Sequence, residues 1–366
     1  MIDYTKDNRI VLTLDAGGTN LLFGAMQGGE FIVEPINLPT NSHDLDICLK
    51  TIADGFQMII DKLEQKPVAI SFAFPGPADY PNGIIDGYLT NFPSFRDGVA
   101  LGPFLEDKFG IPVFINNDGA LFAYGEALGG ALPEVNKRLM ESGSTKQYKN
   151  LLGYTFGTGF GIGMVVNGQL NAGDNSCVEV FCLNHKKKPG IIVEEGVSIR
   201  AVKRVYGERS GDTEHNFEPK DIYDIAEGNK EGDQEAAKAA FQEFGEVAGD
   251  AMAVGATLTD GLIVIGGGIT AASKYIMPSL LKELRGTVST LDGESVDRVQ
   301  MKIYNLDDED EFKEFCKGEQ REITVYGTDR KIVYDAQRRI GVIISKLGAS
   351  KAISMGAYIY ALNQLS

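Results

Sequence analysis

Only four cysteines, Cys48, Cys177, Cys182 and Cys316, occur in 366 residues, too few and too irregularly spaced for the disulfide framework of a small secreted domain. They read as reduced thiols. Long apolar runs are missing too, since no window approaches the roughly eighteen uninterrupted apolar residues of a membrane helix. The opening MIDYTKDNR has neither the basic nor the apolar region of a signal peptide. The expected compartment is therefore the cytoplasm, with no membrane partner. Positive charge is scarce: 35 Lys and Arg against 51 Asp and Glu leave a formal net charge of −16. That balance repels a phosphate backbone and argues against nucleic acid as a partner. Also absent are the G-x-x-x-x-G-K-[ST] loop and the dinucleotide-binding glycine spacing, which excludes those two ways of gripping phosphate.

What is present is a repeated α/β pattern. The chain is long enough for two domains. Strand signals at 10–15, 21–26 and 30–36 precede an amphipathic stretch at 43–63 and a strand at 68–73. A turn-rich stretch, PGPADYPNGIIDGYLTNFPSF, leads to a helix at 99–108, the strand PVFIN and a helix beginning near Asp118. From about residue 150 the pattern starts again with LLGYTF, a glycine-rich bend, GIGMVV, the turn Asn167-Gly168 and a third short strand. Two halves led by three strands, each opening on a glycine-rich bend, predict a duplicated α/β unit with a ligand cleft between the copies.

The bends carry the chemistry. Residues Asp15, Ala16, Gly17, Gly18, Thr19 and Asn20 join the first two strands. Glycines let backbone N–H groups approach an anion, and Thr19 and Asn20 add donors. Asp15 would repel a bare phosphate there and becomes sensible if it holds Mg²⁺ through water. A tight hairpin whose Asp and Thr satisfy only local backbone groups is the alternative. Gly157, Thr158 and Gly159 form the equivalent bend of the second half, and Gly266-Gly267-Gly268 follows the apolar strand LIVI ahead of a helix, which suits close approach of a nucleoside. On its own, the first of these two reads equally as a glycine-rich hairpin, and the second reads more readily as a plain tight turn.

In order, LDAGGTN, FPGPADYPNGIIDGYLTNFPSF, GIPVFINNDGALFAYGEAL, FGTGFGIGMVVNGQL, IVIGGGIT and LGASKAISMGAYIYAL resemble the ROK (repressor, open reading frame, kinase) family of sugar kinases. These segments span most of the chain. The resemblance implies a duplicated ribonuclease H-like fold of the actin-like ATPase superfamily, binding ATP and Mg²⁺ and transferring a phosphoryl group to a hexose hydroxyl. Its lobes would be residues 1–117, with the C-terminal helix 348–366 packed back on them, and 118–347, with insertions near 132–150, 205–235 and 305–340. Asp118 matches the general base, a role a positioned carboxylate suits because a sugar hydroxyl is a weak nucleophile at neutral pH. Its other reading is the N-cap of the following helix. Gly76, Asn91, Asn117, Glu179 and Glu194 match sugar-binding positions, and Phe95 stands where many members carry Trp. Asp15, Gly17, Gly18, Thr19, Asn20, Gly157, Thr158, Gly159, Gly266 and Gly267 match nucleotide-binding ones. A homodimer is the implied assembly.

The chain departs from the family after Glu179. Cys182 stands where a histidine is usual, and LNHKKKPGIIVEEGVS replaces the cysteine-rich zinc loop. Cys177, Cys182 and His185 are too few and too scattered for a structural zinc site, so none is expected and the substrate need not be glucose. Lys186-Lys187-Lys188 reads as a solvated turn or as an attractor for an anionic substrate. The run DDEDEF at 307–312 reads as a helix start. The family also contains repressors with a preceding DNA-binding segment, for which a core strand starting at residue 10 leaves no room. A sugar-binding sensor without catalysis is the other alternative. Which sugar and which hydroxyl is not written in the sequence.

Overall fold

The computed structural model describes every residue except 1–3, Gly18, Pro77, Tyr88, Thr90, Thr213 and His215. In chain order, the first elements are β1 (Val11–Ala16), β2 (Asn20–Gln27), β3 (Glu30–Phe31), β4 (Ile36–Pro39), α1 (Leu45–Ile60) and β5 (Ala69–Ala73). A small pair, β6 (Ala78–Asp79) and β7 (Ile84–Ile85), precedes α2 (Leu101–Phe109), β8 (Val113–Asn116), α3 (Asp118–Leu128) and α4 (Ala131–Glu141). Then come β9 (Leu151–Phe156), β10 (Phe160–Val166), β11 (Gln169–Leu170), α5 (Ile199–Ser210), α6 (Pro219–Ala226), α7 (Gln234–Thr259), β12 (Leu262–Gly266) and α8 (Ser273–Leu284). The last part holds β13 (Thr287–Ser289), β14 (Ser295–Asp297), β15 (Lys302–Asn305), α9 (Glu309–Lys317), β16 (Gln320–Thr324), β17 (Lys331–Asp335), β18 (Arg339–Ile344) and α10 (Ala349–Gln364).

The duplication expected from the two glycine-rich openings is plain in the strand orders. One sheet runs β3-β2-β1-β5-β8 with β4 also on β2, and the other runs β11-β10-β9-β12-β18-β15. In the first, β1 lies antiparallel to β2 and parallel to β5, which is parallel to β8. In the second, β12 is parallel to both β9 and β18. This is the ribonuclease H-like plan of the actin-like ATPases, repeated. The central strands are buried on both faces, as their near-continuous apolar runs require: Val11, Leu12, Leu14 and Thr13 of β1 are all buried, as are Leu262 to Ile265 of β12. The single strand expected at 30–36 is instead two short ones, because Pro35 precedes β4 and lacks the N–H a ladder needs.

Two compact units divide the chain, Met1–Gly130 with Gly163–Val178 and Leu347–Ser366, and Ala131–Ile162 with Glu179–Lys346. The boundary expected after residue 117 therefore lies at Gly130. The cause is α3, which packs on α10 and on the first unit's core: Leu121 of α3 clusters with Ala73 of β5 and Ala357 of α10. That core centres on Phe23, Phe56, Phe72, Phe74, Phe92 and Phe95. Helix α1 presents Cys48, Ile52, Phe56 and Ile59 to it, and its N-cap Asp44 accepts from the Ile47 N–H at 3.0 Å.

The three longer stretches are built segments of the second unit. Residues 132–150 hold α4, whose Arg138 pairs with Glu309 at 2.6 Å and lies 3.6 Å from the Phe312 ring centre on α9. Residues 205–235 hold the end of α5 and all of α6. Residues 305–340 contain α9 and the β16–β17 hairpin. The acidic run starts α9, with Asp308 as its N-cap accepting from the Asp310 and Glu311 N–H groups at 3.0 Å. No described helix is long and apolar enough to cross a membrane.

Candidate active site

Parallel strands set the location. Register pairs Asp15 of β1 with Ala73 of β5, and Ala73 with Asn116 of β8. The chain leaves these strands toward Asp15–Asn20, Phe74–Gly76 and Asn117–Asp118, so all three segments gather at the carboxyl edge of one sheet, where open α/β sheets take their ligands. The equivalent edge of the second sheet carries Gly157 after β9 and Gly266–Gly267 at the end of β12.

At the first edge, Asp15 is half-buried and its carboxyl pKa is raised by burial, opposed by a hydrogen bond from Ser350 at the start of α10. Asp118 begins α3. Burial within the surrounding protein raises its pKa first, and the charge of Asp15 adds to that, while the N–H groups of Gly119 and of Asp118 itself oppose it. The Asp118 residue keeps an exposed surface, so solvent tempers the desolvation. The direction holds because a neighbouring carboxylate acts the same way. The helix cap belongs to Asn117 in extended conformation, whose Oδ1 accepts from the Gly119 N–H at 2.8 Å. Asp118 Oδ1 shares that N–H at 2.8 Å.

The bend between β1 and β2 is tighter than the sequence suggested. The Gly17 N–H donates to Asn20 O at 2.9 Å, so it closes the turn. Thr40, fully buried, donates its hydroxyl to Gly17 O at 2.6 Å and its N–H to Thr19 O at 3.0 Å. Thr19 and Asn20 are exposed beyond this brace. Gly18 lies outside the described residues. Gly76 is half-buried, Asn91 is exposed, and Phe95 is fully buried, packed on Phe74 and Phe92 with ring centres 5.2 and 5.7 Å away.

In the second unit, Glu194 Oε2 accepts from the Phe160 N–H at 3.1 Å, and the Glu194 carboxylate pairs with Arg200 at 2.7 Å. A methyl group on Gly159 would meet that carboxylate at 2.6 Å. Gly157 O accepts from the Ile199 N–H at 2.9 Å, and Thr158 is exposed. Gly267 has φ +97°, and a Cβ there would lie 2.3 Å from Phe156 O, so only glycine lets the end of β12 approach β9 this closely. Gly266 is buried, and Glu179 is half-exposed beside buried Val180. Thr40, Ser350 and Arg200 were not anticipated. Thr40 and Arg200 belong to no motif, Ser350 lies in the terminal LGASKAISMGAYIYAL segment, and each meets its partner from another part of the chain.

A Mg²⁺ ion fits this chemistry: Asp15 is one half-buried carboxylate beside a bend, and Mg²⁺ keeps most of its waters and needs few protein ligands. Zinc does not fit. Cys177 and Cys182 are exposed, His185 is buried with Nδ1 accepting from the Lys187 N–H at 3.1 Å, and no group of three or more His, Cys, Asp or Glu among the described residues is arranged for a metal.

The sequence profile described as ROK family matches residues 11–303. A crystal structure of a glucokinase from Parabacteroides distasonis superposes with a TM-score of 0.90 at 60% identity, covering 99% of each chain. A xylose repressor from Bacillus spizizenii is 29% identical over 178 residues, 47% of this chain and 41% of the repressor. A glucokinase from Halalkalibacterium halodurans is 29% identical over 172 residues, 46% of this chain and 47% of that enzyme. The chain thus spans about half the length of the curated relatives it matches. With the family profile running from β1 into β15 and the duplicated sheets that carry it, the chain belongs to the ROK family.

Proposed function

We propose that the protein is an ATP-dependent sugar kinase that phosphorylates a hydroxyl of a hexose or hexose derivative. The observation that carries this is the pairing of Asp15 and Asp118 at the carboxyl ends of the parallel strands β1, β5 and β8, close enough that the charge of one raises the pKa of the other. Two carboxylates with pushed-up pKa values beside a phosphate-type bend suit one metal-side ligand and one proton acceptor. The likeness to the glucokinase of P. distasonis over 99% of both chains supports the same reading.

In this mechanism Asp118 accepts the proton of the attacking sugar hydroxyl. Asn117 fixes the first turn of α3 and so the direction of the Asp118 side chain. Gly76, Asn91, Asn117, Glu179 and Glu194 are the proposed sugar contacts. Asp15 is the proposed carboxylate for Mg²⁺, through water. Bound ATP with Mg²⁺ supplies the phosphoryl group and neutralises its charge. Thr19 and Asn20 beyond the Thr40 brace, together with Gly18, Gly157, Thr158 and Gly159, are the proposed phosphate donors. Gly17 contributes the shape of the bend, and Gly266 and Gly267 the close approach of backbone to the nucleoside. The cytoplasm and a homodimer belong to the same proposal, carried by family likeness.

A coupled assay of ADP release across glucose, fructose, mannose, allose and N-acetylated hexosamines tests it. Turnover dependent on one of these sugars is the expected result. Sugar binding without ADP release would instead mark a sensor, the reading favoured by the match to a xylose repressor, and ADP release independent of sugar would mark an ATPase. Thr40→Val removes the hydroxyl that holds Gly17 O, a half-buried acceptor, a loss of about 1 kcal/mol. Its expected signature is a nucleotide KM raised several-fold with the sugar KM unchanged. An unchanged nucleotide KM would mean that the bend does not touch ATP.

A further inference from the structure

The loop that replaces the zinc motif folds back on itself. The His185 N–H donates to Ile191 O at 2.8 Å, Val193 N–H to Leu183 O at 2.7 Å, and Glu194 N–H to Phe181 O at 3.3 Å. It ends on Glu194, pinned to Phe160 and Arg200. These few bonds leave open what ties the loop to the helices beneath it. Buried Val180, His185 and Val193 and an Arg204 Nη2 hydrogen bond to Glu195 O at 3.1 Å hold parts of it, and the three lysines after His185 add ion pairs. Lys186 reaches Glu283 of α8 at 2.6 Å and Glu246 of α7 at 3.7 Å. Lys187 reaches Glu246 at 2.6 Å and Glu243 of α7 at 3.4 Å. Lys188 reaches Glu208 of α5 at 3.5 Å. The acids are themselves held: Glu243 by Arg209 at 2.8 Å, Glu283 by Arg298 at 3.5 Å and Glu208 by Arg204 at 2.9 Å. The lysine run is thus an exposed turn whose ammonium groups are paired with carboxylates, and not an open anion site. Side chains of Glu243 and Glu283 are only 13% and 15% exposed, so these pairs are screened less than surface ones.

We propose that Lys186, Lys187 and Lys188 are positioning residues, an ion-pair staple that fixes residues 181–196 to α5, α7 and α8 and so holds Glu194 in place without a metal. The part concerning substrate rests on Glu194 being a sugar contact; the staple itself does not. The variant Lys186→Met/Lys187→Met keeps the apolar stems and removes both charges. Amide hydrogen exchange over 181–196 is expected to quicken about tenfold in the variant, and in wild type when NaCl rises from about 0.05 to about 0.5 M. The sugar KM should rise roughly fivefold or more with kcat little changed, because Glu194 serves to bind the sugar and takes no part in proton transfer. Lys186→Arg/Lys187→Arg should restore both readouts, and a zinc chelator should leave wild type unaffected.

Unchanged exchange over 181–196 in the variant and in salt overturns the staple, and so does a chelator that loosens the loop. Faster exchange with an unchanged sugar KM overturns the positioning of Glu194. If no hexose is turned over, the kinase reading falls, while hydrogen exchange still decides the staple.

Discussion

Asp118→Asn is expected to lower kcat by about 10²–10⁴-fold while ATP still binds, which is the usual worth of a positioned general base. The amide keeps the size of the side chain and can still meet the Gly119 N–H, and Asn117 retains the helix cap. A loss of this size therefore separates proton transfer from folding. The pH profile provides a second check. Burial and the Asp15 charge both raise the Asp118 pKa, so the acid limb of kcat/KM should sit above the ordinary carboxylate value of about 4. Removing the like charge in Asp15→Asn should move that limb to lower pH. Stability should respond in the opposite sense to activity. A carboxyl whose folded pKa exceeds its unfolded value stabilises the fold while protonated, and that contribution is lost as pH rises through the folded pKa. Asp118→Asn never incurs that loss, so its melting point relative to wild type should rise as pH rises through the folded pKa and the gap should close in acid. A variant with wild-type turnover would remove Asp118 from the role.

The contrast between what could and could not be read from the sequence follows from how local each signal is. Asp15 ends an apolar strand and Asp118 sits between a strand and a helix, so periodicity alone placed both at strand ends. The repeat of three strands after a glycine-rich bend made the duplicated fold legible. The helix cap falls on Asn117 and not on Asp118, the alternative the sequence left open; both are good cap residues and only the extended backbone at Asn117 decides. Thr40 braces the first bend from a neighbouring strand, and Ser350 meets Asp15 from a helix more than three hundred residues later. Arg339 is wholly buried, bonded to Phe315 O and Asp335 at 2.6 Å each, although nothing around it in the sequence distinguishes it from a surface arginine on a strand. Pairings made by tertiary approach leave no periodic trace. The partners of the lysine run are illegible for the same reason: they lie on three helices that only the fold brings beneath it.

Gly125→Ala is expected to be among the most damaging small substitutions. A Cβ at Gly125 of α3 would lie 2.0 Å from Ala352 O of α10, and one at Gly356 of α10 would lie 2.0 Å from Leu121 O of α3. Backbone stands in the way at both places, so neither clash is relieved by turning a side chain. The helices must separate, and the buried packing of Leu121 with Ala73 and Ala357 separates with them. Overpacking of this kind costs roughly 3 kcal/mol, the upper end of its usual range, and a melting point lower by about 6–12 °C follows for a unit of this size. Activity should fall as well, roughly tenfold or more, because α3 carries Asp118 at its first turn and sub-ångström misplacement of a base is felt in the transition state. The two glycines relieve the same approach from opposite sides. Once one alanine has pushed the helices apart, a second adds less, so Gly125→Ala/Gly356→Ala should lose clearly less stability than the sum of the single changes. Strict additivity in melting experiments would mean that each helix yields locally and that α10 does not set the position of α3.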